Sequence, residues 1–119
     1  MSLGKEEQAT FTPYDLKERS LRFEKQAMIN RLQGQNSLAM KNYNRAAMAE
    51  YRALTLLKDC FPEERGQSAV RVALLLIKGC NFTTLEGISR ILHRDPGLPT
   101  GAKLDVVNLV NSYLYRVTR

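Results

Sequence analysis

One histidine, two cysteines and a scatter of carboxylates are all that this sequence offers to covalent or metal chemistry. His93 stands alone beside Arg94, with no second histidine and no cysteine at ligand spacing. A zinc site needs three or four such ligands converging, so no metal is expected. Cys60 and Cys80 are too few and too far apart for a disulfide framework or a metal clip, and they read as free thiols of a reducing cytoplasm. Glu63 and Glu64 are adjacent, which suits the first turn of a helix, whose positive end they offset, better than a pair of catalytic acids. The glycines nowhere take the spacing of a phosphate loop or a dinucleotide fingerprint. No nucleophile finds a base and no cofactor cradle assembles. The expectation is a protein that is not an enzyme and has no cofactor and no small-molecule substrate.

Charge is what remains. The 119 residues carry 18 Lys and Arg against 12 Asp and Glu, a formal net charge of +6, with the excess spread over both halves of the chain. Such a balance suits contact with phosphates or with an acidic partner, and Arg71, Lys78, Arg90, Arg94, Lys103 and Arg116 are the candidate contacts. A helix-turn-helix would pair residues 68–78 with 84–93 across a glycine-containing turn. A recognition helix reads bases from its N-terminal part; here that part offers Thr84 and Glu86, with Arg90 and Arg94 placed late. Those arginines suit phosphates rather than base edges.

The elements that must position these residues are helical. With 44% hydrophobic and 25% charged residues the chain is an ordinary globular domain. Residues 1–11 lack periodicity and are expected to form a flexible arm. Thr12, Pro13 and Asp15 supply a cap hydroxyl, a proline at the first helical position and a carboxylate three residues after the cap. Beyond them Leu21, Met28 and Leu32, with Phe23 and Ala27, form an apolar side, and Lys17, Glu18, Arg22 and Lys25 the other. Gly34 either ends this helix or lies within one long bent helix, so residues 12–60 form a hairpin or a single rod. Met40, Tyr43, Ala47, Tyr51, Leu54 and Leu57 follow steps of three and four, and Ala46, Ala49 and Ala53 allow a neighbouring helix close approach.

Pro62 closes that segment and opens the next. Residues 67–78 are apolar on nearly every side, as a central helix or a subunit interface requires, with Lys78 and Gly79 as the stop. Thr83 and Glu86 read as a capping box for a short helix whose stripe, Leu85, Ile88, Ile91 and Leu92, packs on the third. Residues 95–101 form a loop, and Leu104, Val107, Val110, Leu114 and Val117 mark the last helix. No stretch alternates with period two, so the fold class is all-α, a bundle of four to five helices. No apolar run approaches the roughly 20 residues that cross a bilayer, and the first ten residues lack a signal-peptide core. A cytoplasmic protein without membrane contact is expected.

From Glu63 onward the chain resembles the YmgB/AriR family of small regulators, described as two-component-system connectors or biofilm-development proteins. The likeness rests on Glu63 and Glu64 ahead of an apolar helix, on Leu75, Gly79 and Asn81, on the run from Ile88 to His93, and on Lys103, Asp105 and Val106. It closes on Tyr115, Arg116, Val117 and Thr118, and covers about half of the chain, residues 62–119. The resemblance implies an all-α homodimer without cofactor, regulating biofilm formation or acid stress through a signalling protein or DNA. Val72, Leu75, Leu76, Val110 and Leu114 are the expected dimer interface. The alternative is a helical-hairpin interaction module without nucleic-acid binding, in which Met40, Tyr43, Ala47, Tyr51 and Leu54 form a groove for a partner helix.

Overall fold

A computed structural model describes residues 11–57 and 61–118, with side chains described as far as residue 114. Five helices and no strand make up the described residues: α1 (Pro13–Leu32), α2 (Asn36–Leu56), α3 (Pro62–Lys78), α4 (Phe82–His93) and α5 (Thr100–Thr118). The arm expected over residues 1–11 lies outside them except for Phe11, whose ring centroid is 4.6 Å from the Arg19 guanidinium carbon.

The helix starts follow local chemistry. At α1 the Thr12 hydroxyl accepts from the Asp15 amide at 3.1 Å and the Asp15 carboxylate accepts from the Thr12 amide at 3.0 Å, with Pro13 in the first turn. Two orphan amides are thus satisfied reciprocally, and the same hydrogen bonds hold the Asp15 carboxyl below its ordinary pKa. Pro62, Glu63 and Glu64 open α3 as expected. The capping box expected at Thr83 and Glu86 does not form. Asn81 caps α4 instead, accepting from the Thr84 amide at 3.3 Å, which leaves Glu86 inside the helix to pair with Arg90.

The reason lies in how α3 ends. The Asn81 amide donates to the Leu76 carbonyl at 2.9 Å and the Cys80 amide to the Ile77 carbonyl at 3.0 Å, the reciprocal pair of a Schellman ending. That ending delivers Asn81 straight into the capping position of α4. The left-handed residue is Cys80, at φ 53, and not the neighbouring glycine. Gly79 is there for space: a β-carbon on it would lie 2.7 Å from Asn44 Nδ2, which donates to the Gly79 carbonyl at 3.1 Å. Helix α1 ends in the same way, with Gly34 at φ 75, so residues 13–56 form a hairpin and not one bent rod.

In this hairpin α1 lies antiparallel on α2, whose alanines Ala39, Ala46 and Ala53 are fully buried. The Ser20 hydroxyl reaches across to donate to the Ala46 carbonyl at 2.8 Å, and Asn42 donates to Asn30 at 2.8 Å. Helix α3 then packs on α2 and on α4 and α5, so its apolar stretch becomes the centre of one continuous core running from Ala27 to Val110. The resulting molecule is flat, 54 × 39 × 20 Å. One expectation fails here. Of the apolar side assigned to α1, Ala27 is buried and Phe23 packs against the core, but Leu21, Met28 and Leu32 point outward, because close approach to the alanines of α2 leaves the inner face to Leu16, Ser20, Ala27 and Asn30.

Two ion-pair clusters hold the helices in register. Arg71, within the apolar run of α3, pairs through Nε with Glu50 of α2 at 2.9 Å and through Nη1 with Glu24 of α1 at 2.9 Å; its Nη2 donates to Ser20 at 3.2 Å. Ser68 donates to the other Glu50 oxygen at 2.8 Å. Glu50 is only 2% exposed, so nearly all of its hydration is replaced by these contacts. In the second cluster Arg65 donates two hydrogen bonds to Asp95, at 3.2 and 2.7 Å, clamping α3 to the loop before α5. The Asp95 carboxylate also accepts from the Gly97 amide at 2.8 Å.

Removing Arg71 by Arg71→Ala strands a buried carboxylate, and the expected loss is about 3 to 5 kcal/mol in urea unfolding. Replacing Glu50 by Leu in the same chain should recover part of it, since no unpaired charge then remains. Asp95 gives a pH signature. The Arg65 hydrogen bonds hold its pKa below the ordinary value in the folded state, so its contribution is complete above pH about 4 and is lost as the pH falls through the folded value. Asp95→Asn should therefore lose about 1 to 2 kcal/mol at pH 7, with the gap from the parent protein closing in unfolding curves taken at progressively lower pH.

Candidate functional site

The outer face of the hairpin concentrates cations. On α2, Lys41, Arg45, Met48 and Arg52 recur at steps of four, three and four, opposite the side that buries Tyr43, Ala47 and Leu54. On α1, Arg19, Arg22, Phe23 and Gln26 form the matching stripe. The antiparallel pairing brings the two stripes side by side. Between them lie two adjoining hollows of about 550 Å³ each, sharing Arg19, Phe23 and Arg45. Leu16, Phe23, Met48 and Ala49 give the first an apolar floor, and Arg19, Lys41, Arg45 and Arg52 its rim. Arg22, Gln26 and Asn42 complete the second.

No carboxylate lines either hollow. Among the described residues none of the five cations forms an ion pair. Arg19 lies over the Phe11 ring, and Arg45 makes one long hydrogen bond, 3.5 Å, to Asn42. Five unneutralised charges around apolar side chains repel one another in the free protein. An anionic ligand with an apolar side would relieve that repulsion and cover the floor at the same time. The groove holds no titratable pair or nucleophile placed for catalysis, and no group of described residues is arranged to bind a metal ion.

The cations expected to act from the C-terminal half are disposed differently. Arg71 is held by Glu24, Glu50 and Ser20 inside the bundle, where it ties three helices together. Lys78 lies on the seam between α3 and α1, 3.6 Å from Glu24 and 5.8 Å from the centroid of the Tyr43 ring. Arg90 pairs with Glu86 one turn earlier. Lys103 is half-buried and contributes to the positive field at Asp95. Arg90 and Arg94 come together, with His93, Ser89 and Val107, around a hollow of about 290 Å³. The Arg116 side chain lies outside the described residues.

The residues expected at a dimer interface lie within the core of the single chain. Val72, Leu75 and Leu76 are enclosed by the chain's own helices, Val110 is buried and Leu114 packs half-buried against the same core. The alternative groove is filled from within: Tyr43, Ala47 and Leu54 are buried, with Tyr51 packed against the same core. Helix α3 occupies the place intended for a partner helix. The groove cations are not evident from either segment alone, because the two stripes meet only when α1 and α2 pair. The signal was present in the steps between Lys41 and Arg52.

Compared with protein-family models, curated proteins and solved structures, the chain matches none.

Because Arg45 and Arg52 are exposed and form no ion pair among the described residues, replacing both by Glu should change the unfolding free energy by no more than about 0.5 kcal/mol. Circular dichroism melts are the check, and a large fall in the midpoint would assign these arginines to the scaffold.

Proposed function

We propose that this is a non-catalytic regulatory protein of the cytoplasm, a homodimer that binds an acidic segment of a signalling protein through the groove between α1 and α2. The observation that carries this reading is the ring of five cations without a carboxylate around an apolar floor. A helix with one acidic and one apolar side matches both features, as helix-in-groove recognition requires. DNA matches only the charge, since a phosphate backbone leaves Phe23 and Met48 uncovered. The role in biofilm or stress regulation rests on the likeness of residues 62–119 to the YmgB/AriR regulators. The absence of an assembled nucleophile, base or cofactor cradle in the sequence supports action by binding.

The test uses a fluorescent 20-residue amphipathic peptide with Glu on one side and Leu on the other, and in parallel a labelled 20-base-pair duplex. The peptide should bind, with affinity falling at least tenfold in the Arg45→Glu, Arg52→Glu double variant. Binding of the duplex alone, lost in the same variant, would turn the reading to nucleic acid. Failure of both probes would remove the groove as a binding site.

A further inference from the structure

Helix α1 turns a second apolar stripe outward. Toward α2 it buries Leu16, Ser20, Ala27 and Asn30, while Leu21 is 56% exposed, Met28 53% and Leu32 88%. Tyr14, also exposed, continues the outer stripe toward the N-terminus, held by a 3.4 Å hydrogen bond to Glu64. Tyr14, Leu21 and Met28 are seven residues apart and Leu32 lies one turn beyond. Residues at that interval drift by only about 20° per heptad around a helix, which is the geometry of a two-stranded seam. The stripe faces away from the cationic groove, because the residues lining that groove lie on the other flank of α1. Leu74 widens it. That residue is exposed on the face of α3 from which Arg71 and Lys78 reach Glu24, between Leu21 and Met28.

We infer that this stripe is where two copies of the chain meet, with α1 antiparallel to α1 about a two-fold axis at Leu21. The inference rests on the homodimer of the proposed function and supplies the interface which the buried residues of α3 and α5 cannot. Charge selects a second copy as the occupant. Glu18 and Lys25, both exposed and without an ion pair among the described residues, flank Leu21 on one edge of the stripe. Antiparallel pairing about Leu21 sets Glu18 beside the second copy's Lys25, and the reverse, while Tyr14 meets Met28. The same edge is thus complementary to itself, the condition for an isologous contact.

Sedimentation equilibrium of the full chain, with light scattering, decides the matter. The parent protein should have the mass of a dimer, and Leu21→Glu that of a monomer with unchanged helicity, since the side chain is already exposed in the free protomer. Glu18→Lys and Lys25→Glu should each weaken the dimer severalfold, and the two together should restore it. A parent protein that stays monomeric overturns the homodimer and this interface together. A dimer that survives Leu21→Glu overturns the interface alone. Failure of the double charge swap to restore the dimer overturns the antiparallel arrangement.

Discussion

A single guanidinium fixes the mutual placement of three helices. Arg71 enters from α3 and is met by a carboxylate from α2, another from α1 and a hydroxyl from α1. Taken alone, a charge in the run from Val70 to Ile77 is costly, because the interior offers little to replace water. The cost is offset only when all the partners converge, and they converge only in one register of the hairpin on α3. Hydrophobic contacts tolerate sliding; a planar fork with three partners does not. The antiparallel pairing of α1 with α2, and hence the alignment of the groove's two rims, inherits its precision from this cluster.

The molecule divides its positive charge between paired and open sites. On α3 the cations Arg65, Arg71 and Lys78 are paired with Asp95, Glu50 and Glu24. Even Arg31, at the end of α1, donates to the Lys78 carbonyl at the negative end of α3 and lies over the Tyr43 ring. Among the described residues the cations of the outer hairpin face have no such partners. Their field is therefore directed at solvent and at whatever approaches from it, which separates the residues that keep the fold from those available for recognition.

Much of the fold was legible because its determinants are local. Thr12 and Asp15, Gly34, Pro62 and Gly79 mark helix ends through chemistry that acts within a turn, and the apolar stretch of α3 announced a central helix. Apart from the start of α4, where Asn81 and not Thr83 is the cap, what escaped was non-local. Arg71 looked available because its partners, Glu50 and Glu24, lie 21 and 47 residues away. The apolar side of α1 was assigned by residue type, yet α2 is so rich in alanine that Ser20 and Asn30 pack inside beside Leu16 and Ala27, while Leu21 and Leu32 face out. Burial went to the groups that fit, not to the most hydrophobic ones. The cationic groove needed two helices to be placed together, although each stripe was written in its own segment.

Connectors of three residues join α1 to α2 and α3 to α4, and most helix contacts are between elements adjacent in the chain. Such a topology has low contact order, and chains of this kind reach the native state in microseconds to milliseconds. Hairpin closure can proceed by rapid local search, whereas the Arg71 cluster joins segments far apart and forms only when the third helix docks.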